Sequence, residues 1–125
     1  MSISTLLVDD QEDIRLLMRL IIESDEKDLC VVGSAADGAS AIEYADRVNP
    51  CIVVLDQRMP GLSGVDTALR IRARRPGQRF VLCSAQMDDD VRQLAADAGI
   101  ERCLSKDDIL RLPDVVREVG CPCEA

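Results

Sequence analysis

The segment Ile52-Val53-Val54-Leu55-Asp56 consists of four apolar residues followed by an acidic one. A strand with one solvated face alternates apolar and polar residues, whereas an unbroken apolar run is typical of a strand covered on both faces. Such strands occur in parallel sheets that carry helices on each side. The segment therefore predicts a central strand of an α/β domain, with Asp56 at its carboxyl end.

Outward from this segment, short β-rich runs alternate with apolar residues at helical spacing. The predicted strands cover residues 3–8, 29–34, 51–55, 79–83 and 102–104. Between them, apolar residues recur at the i, i+3, i+4 spacing of one buried helix face. These faces comprise Ile14, Leu17, Met18, Ile21 and Ile22; Ala41, Ile42, Ala45 and Val48; Val65, Ala68 and Leu69; Val91, Leu94, Ala95 and Ala98; and Val115, Val116 and Val119. Strict strand–helix alternation at this length predicts a doubly wound α/β sandwich.

The composition excludes several classes of function. The chain has 125 residues and a net charge of −8, and it contains one Tyr, one Phe and no Trp, which argues against a free-standing nucleic-acid binder. The absence of histidine excludes Ser-His-Asp and Cys-His catalysis and histidine-ligated zinc. No apolar run approaches the ~20 residues that cross a bilayer, and the start lacks the basic residues of a signal peptide. We expect a cytoplasmic protein that does not contact membranes.

The chain contains six cysteines. Four of them lie in apolar segments, where Cys behaves as a small hydrophobe: Cys30, Cys51, Cys83 and Cys103. Without a secretion signal, all six are predicted to be reduced thiols. The remaining pair, Cys121 and Cys123, could bind a metal or oxidise, but two thiolates are only half of a zinc site. The tail is therefore predicted to be inert.

Residues that could form a site follow four of the five predicted strands, and parallel strands end at one edge of a sheet. They are Asp9 and Asp10 after the first strand, Asp56 after the third, Ser84 and Ala85 after the fourth, and Lys106 after the fifth. Carboxylates ~4 Å apart repel by about 4 kcal/mol per pair at an effective dielectric near 20. They must therefore take up protons or hold a cation. An all-oxygen ligand set suits Mg²⁺ before Mn²⁺ or Ca²⁺.

A carboxylate in such a crevice can act as an aspartyl nucleophile in phosphoryl transfer. Mg²⁺ and Lys106 would offset charge on the transferring oxygens, and the Ser84 hydroxyl and Ala85 amide would donate to them. Taken singly, an Asp after a strand is more often a turn or helix cap, and a lone Ser or Lys carries no information. Their coincidence at four strand ends favours a shared site.

Four motifs contain these residues. They are Leu6-Leu7-Val8-Asp9-Asp10, Val53-Val54-Leu55-Asp56-Gln57-Arg58-Met59-Pro60-Gly61, Leu82-Cys83-Ser84-Ala85 and Leu104-Ser105-Lys106. As a spaced set they resemble the receiver domain of two-component response regulators, over residues 5–119. Residues 31–38 and Lys106-Asp107 look most similar to the NarL-type subfamily. The resemblance implies a receiver domain over residues 1–120 with a short tail, 121–125. It also implies a flavodoxin-like sheet of five parallel strands in order 2-1-3-4-5 with helices on both faces.

The resemblance also implies a role for each site residue. Mg²⁺ would be bound by Asp10 directly, by Asp9 largely through water, and by Asp56 and the backbone carbonyl of Arg58. Asp56 would be the phosphoacceptor, and the phosphoryl group would be held by Ser84, Ala85 and Lys106. Arg58 and Gln86 match the two variable positions that flank the attacking water during dephosphorylation.

The implied function is a phosphorylation switch in a two-component or phosphorelay pathway. A sensor histidine kinase or histidine phosphotransfer protein would supply the phosphoryl group, and an unidentified downstream protein would read the phosphorylated state. Beyond self-catalysed phosphorylation and slow dephosphorylation, no enzymatic activity is expected. One alternative is an unphosphorylated pseudo-receiver that serves as an interaction module. The other is a Mg²⁺-dependent aspartyl-phosphate hydrolase, which would need a second Asp where Arg58 stands.

Three positions depart from the family pattern. Cys103 replaces the usual switch aromatic, and Asp107 replaces a proline that often follows a cis peptide bond. Pro113 fits the first position of a helix, which predicts either a fifth helix of only Pro113–Val119 or a separate turn from Asp108. Elsewhere, an acidic run is predicted to open the fourth helix. It comprises Asp88, Asp89 and Asp90. A basic stretch is predicted to be a solvated face or, less favoured, a docking patch. It comprises Arg70, Arg72, Arg74, Arg75 and Arg79.

Overall fold

A computed structural model describes residues 2–25 and 28–120 of the chain. Its strands are β1 (Ile3–Val8), β2 (Leu29–Ala35), β3 (Ile52–Leu55), β4 (Arg79–Ser84) and β5 (Arg102–Ser105). Its helices are α1 (Glu12–Asp25), α2 (Gly38–Val48), α3 (Gly64–Arg74), α4 (Asp89–Asp97) and α5 (Leu112–Val119), and a 3₁₀ helix (Lys106–Arg111) precedes α5. The predicted tail and its two cysteines lie outside the described residues.

In the described part of the chain, five parallel strands form one sheet in the order β2-β1-β3-β4-β5. This order confirms the flavodoxin-like prediction. The core is divided between the two faces of the sheet. Val53 and Leu55 contact a cluster that includes residues of α2, α3 and α4, whereas Ile52 and Val54 contact a cluster that includes residues of α1 and α5. The unbroken apolar run of β3 therefore reflects burial on both faces.

The helix faces agree with the apolar periodicity except at three leucines. The periodicity predicts that Leu17, Leu69 and Leu94 are buried, but they are 41%, 49% and 50% exposed. In α3 the buried stripe runs through Ala68 and Ile71 instead. The prediction is wrong at these leucines because periodicity defines an apolar arc, whereas the neighbouring elements determine how much of that arc they cover.

Capping residues define where the helices begin. Asp88 caps α4, and its carboxylate accepts a hydrogen bond of 2.9 Å from the Val91 amide, which confirms the acidic start of that helix. Pro113 lies in the first turn of α5, after the 3₁₀ helix, so the short fifth helix and the separate turn are both confirmed. None of the described residues follows a cis peptide bond. No helix in the ranges 2–25 and 28–120 is long and apolar enough to cross a membrane.

The cysteines do not all agree with the prediction of reduced thiols. Cys30, Cys83 and Cys103 are free, but Cys51 is disulfide-bonded. The prediction is wrong for Cys51 because it rested on an assumed compartment. Sequence spacing does not show which thiols the fold brings together.

The basic stretch is in part the predicted solvated face, since Arg70 and Arg74 are exposed, but four of its five arginines also bind other parts of the same chain. Arg74 pairs with Asp46, Arg75 with the side chains of Asn49 and Gln78, and Arg79 with the carbonyl of Val119. Arg72 makes the largest set of contacts. Its guanidinium donates to the carbonyls of Gln78, Ala98 and Gly99 at 2.8 to 3.1 Å, pairs with Glu101 at 3.3 Å and lies over the Phe80 ring. These contacts join α3 and β4 to the segment that links α4 to β5.

We expect Arg72→Met to lower the free energy of unfolding by about 2 kcal/mol or more, because carbonyls would lose a charged donor. Methionine keeps an apolar side chain over Phe80 and therefore isolates the polar contacts. Arg70→Met is the matched control, since Arg70 is exposed and has no intramolecular partner in the described part of the chain; we expect a change within about 0.5 kcal/mol. Urea unfolding measures both variants, and equal losses would contradict the role of Arg72.

Candidate functional site

The candidate site is a cleft of about 340 Å³ at the carboxyl edge of the sheet. β1 and β3 end immediately before the aspartates, Ser84 is the last residue of β4, and Lys106 follows the last residue of β5. The cleft is lined by Asp10, Gln11, Ile14, Asp56, Arg58, Ser84, Ala85, Gln86 and Lys106. The fold thus brings together the polar residues that the sequence placed at four separate strand ends.

Three carboxylates form the acidic part of this site. One oxygen each from Asp9, Asp10 and Asp56 lies within 4.8 Å of the others. Asp9 is fully buried and Asp56 is 5% exposed, whereas Asp10 is exposed on the rim. Two ionised carboxylates buried side by side are costly unless a cation pairs with them. A positive charge at this edge of the sheet would therefore stabilise the two buried carboxylates.

Lys106 supplies one such positive charge. Its Nζ lies 2.7 Å from Asp9 Oδ2 and 3.2 Å from Asp56 Oδ2. Desolvation acts to lower the pKa of Lys106, but the hydrogen bond to Asp9 and the charges of Asp56 and Asp9 outweigh it and raise that pKa. The ammonium therefore stays protonated between the two buried aspartates.

Asp56 has a raised pKa. Burial is the main cause, and the negative charge of Asp9 adds to it; the Lys106 ammonium and the backbone amide of Arg58 act in the opposite direction. Burial also raises the pKa of the neighbouring Cys83 thiol to about 12. Cys83 is therefore protonated at neutral pH and is not the nucleophile of this cleft.

Asp9 has one oxygen with unused capacity to bind a cation. Its Oδ1 accepts a 2.9 Å hydrogen bond from the Gln11 amide. Its Oδ2 is buried, and its partner among the described residues is the Lys106 ammonium, 2.7 Å away. A buried carboxylate oxygen in this situation, within an all-oxygen ligand set, fits a hard divalent cation.

The loop after Asp56 is attached to the start of α3 by Gln57, a residue that the sequence analysis left without a role. The Gln57 carbonyl accepts from the Gly64 amide at 3.0 Å, and its side-chain Oε1 accepts from the Val65 amide at 2.9 Å. A Cβ atom on Gly64 would lie 2.3 Å from the Asp56 carbonyl oxygen, so only glycine allows α3 to begin this close to β3. In the sequence, only the position of Gln57 between the predicted acceptor and Arg58 could have indicated this role.

The fold and the acidic cluster define a class of signalling domain, and comparison with known proteins identifies it. Residues 5–117 match the family of response regulator receiver domains. The chain belongs to this family, whose members act in two-component signalling.

Three similar proteins illustrate the relationship. The nitrate/nitrite response regulator NarL of Escherichia coli K12 is 32% identical over 102 residues, which are 82% of this chain and 47% of NarL. A protein-glutamate methylesterase/protein-glutamine glutaminase of Paramagnetospirillum magneticum is 34% identical over 96 residues, 77% of this chain and 27% of that protein. The receiver domain of a NarL-like regulator from Mycobacterium tuberculosis superposes with a TM-score of 0.82 at 28% identity, covering 93% of this chain and 97% of that domain.

The chain thus spans less than half the length of these two curated relatives. The activities in their names are said of those whole proteins.

We expect Asp56→Asn to stabilise the protein at pH 7 in the absence of divalent cations. Because the folded chain raises the pKa of Asp56, its ionisation costs stability as the pH rises above about 4, the ordinary carboxyl range. The neutral amide avoids that cost, so the difference from the wild type is largest near neutral pH. It shrinks as the pH falls and Asp56 becomes protonated in both states.

Urea unfolding in the presence of a chelator, at several pH values, measures this difference. Asp10→Asn, on the exposed rim, is the matched control, and we expect it to raise the free energy of unfolding by less than Asp56→Asn does. A wild type that is more stable than Asp56→Asn at pH 7 would contradict the prediction.

Proposed function

We propose that this domain is a phosphorylation switch that accepts a phosphoryl group on Asp56 from a phosphohistidine, in a Mg²⁺-dependent reaction. The observation that carries the proposal is the cluster of Asp9, Asp10 and Asp56 at one sheet edge, with Lys106 between the two buried members. A structural ion pair would need only one carboxylate. The surplus negative charge, three clustered carboxylates against one ammonium, favours a site that binds a cation and then a dianion.

The cation would be held by Asp9, Asp10, Asp56 and the backbone carbonyl of Arg58. When bound, Mg²⁺ would neutralise negative charge on the carboxylates and on the phosphoryl oxygens. Oxygen ligands from carboxylates and a carbonyl suit this ion, which keeps several waters and needs few protein ligands.

The residues of the chain carry the rest of the reaction. A carboxylate oxygen of Asp56 attacks phosphorus; the O–P bond forms as the N–P bond of the phosphohistidine breaks, and the imidazole nitrogen keeps the electron pair and takes a proton. Lys106, 3.2 Å from Asp56, is within reach of a phosphoryl group on that carboxylate. The Ser84 hydroxyl and the Ala85 amide, from the adjoining strand end, would donate to the remaining oxygens.

Two alternatives have less support. A pseudo-receiver would not need the acidic cluster, which is complete here. An aspartyl-phosphate hydrolase would need a carboxylate two residues after Asp56, where Arg58 stands. We therefore propose no enzymatic activity beyond self-catalysed phosphorylation and slow dephosphorylation.

The phosphoryl donor would be a sensor histidine kinase or a histidine phosphotransfer protein, and the recipient of the signal would be a downstream protein. We place the domain at residues 1–120 and its site of action in the cytoplasm, where such donors present their phosphohistidine. The net charge of −8 gives no support to direct nucleic-acid binding by this chain.

We expect labelled acetyl phosphate to phosphorylate the wild type only when Mg²⁺ is present, and to leave Asp56→Asn unlabelled, because the amide lacks the nucleophilic oxygen. Asp66→Asn, at an exposed position in α3, is the matched control and we expect it to be labelled normally. Labelling of Asp56→Asn would show that another residue accepts the phosphoryl group. Absence of any saturable response of the wild type to beryllofluoride and Mg²⁺ would favour the pseudo-receiver.

We expect phosphorylation to change the loop at residues 84–88 and the start of α4 more than β5. The family's switch aromatic is replaced by Cys103, which is half-buried and packs beside the core cluster. A thiol side chain has little area with which to favour one of two states. Amide chemical shifts with and without Mg²⁺ and beryllofluoride measure the change, and sedimentation measures dimers; large shifts centred on β5 with phosphate-dependent dimers would contradict this expectation.

A further inference from the structure

We infer that Gln57 is a positioning residue for cation binding. It holds the loop that presents the Arg58 carbonyl to the acidic cluster. This inference rests on the proposed function, which assigns that carbonyl to the cation. It adds a residue whose side chain is not itself a ligand.

Gln57 binds the start of α3 through two of its atoms. Its backbone carbonyl accepts from the Gly64 amide at 3.0 Å, and its side-chain Oε1 accepts from the Val65 amide at 2.9 Å. These amides belong to the first turn of a helix, where backbone donors have no partner within the helix. One residue therefore satisfies two successive donors, and this fixes both the backbone and the side chain of position 57.

Arg58 is flanked by two anchored residues although its own side chain is exposed. On one side is Gln57, and on the other is Met59, which is buried in the core cluster with Val65. The peptide unit before the Arg58 carbonyl is thus held at its C=O by the Gly64 amide.

The start of α3 is itself fixed relative to the acceptor. Gly64 packs so closely on the Asp56 backbone that a Cβ atom would lie 2.3 Å from the Asp56 carbonyl oxygen. Gln57 therefore ties the loop to a helix end that cannot shift without moving Asp56. Without the hydrogen bond between Gln57 Oε1 and the Val65 amide, the Arg58 carbonyl could turn away from the orientation that a cation requires.

A purely structural role for Gln57 would be indistinguishable from that of Ser63, which also caps α3. The Ser63 hydroxyl accepts from the Asp66 amide at 3.1 Å. Both residues therefore satisfy one donor of the same helix turn with a side-chain oxygen. Only Gln57 lies next to the carbonyl assigned to the cation, so Ser63 provides the matched control.

The test is a Mg²⁺ titration of the wild type, Gln57→Met and Ser63→Ala, followed by calorimetry or amide chemical shifts, with thermal unfolding measured in parallel. We expect Gln57→Met to bind Mg²⁺ about tenfold more weakly, which is the effect of losing a residue that orients a ligand. Ser63→Ala should lower the melting temperature while keeping its Mg²⁺ affinity within about twofold of the wild type.

Two further variants complete the test. Gln57→Glu keeps an acceptor for the Val65 amide, and we expect it to bind Mg²⁺ at least as tightly as the wild type. Gln57→Asn is one methylene shorter and cannot reach that amide, so we expect its Mg²⁺ affinity to resemble that of Gln57→Met. It replaces Gln57→Met in the titration if that variant fails to fold.

Unchanged Mg²⁺ affinity in Gln57→Met or Gln57→Asn, beside a wild type that binds, would overturn this inference alone. Equal weakening in Ser63→Ala would do the same. Absence of Mg²⁺ binding by the wild type would instead overturn the proposed function, and this inference with it.

Discussion

Two buried carboxylates beside a single ammonium are the constraint on which the functional end of this domain depends. Asp9 and Asp56 end neighbouring strands, so the geometry of the parallel sheet forces them together. Lys106, from the far edge of the sheet, balances one of the two charges. The remaining charge makes the site responsive to whatever cation or proton enters it.

The two ends of the sheet are built from different interactions. At the carboxyl end, charges face one another across an open cleft. At the opposite end, Arg72 joins backbone carbonyls of two segments, and the buried side chain of Gln78 binds the carbonyls of Pro50 and Cys51. Fully satisfied polar contacts at one end stabilise the fold, whereas incompletely satisfied carboxylates at the other end leave capacity for a ligand.

Much of the site could be predicted from the sequence because strand ends are readable from apolar periodicity. Asp56 after an unbroken apolar run and Asp9 after the first strand needed no coordinates to be placed at one edge. The sequence did not show that Asp9 is buried while the adjacent Asp10 is exposed, or that Lys106 lies between Asp9 and Asp56. These features depend on side-chain directions set by packing, which neighbouring residues in the chain do not specify.

The sequence by itself determined the α/β class, the sheet edge that carries the acidic residues and the start of α4 at Asp88. Each of these follows from local periodicity, parallel connection or a capping preference. The tertiary structure alone decided that Leu17 is exposed, that Arg72 binds three carbonyls and that Gln57 binds the start of α3. The reason is that hydrogen-bond partners and the covered part of a helix face are supplied by segments distant in sequence, whose arrangement exists only once the chain has folded.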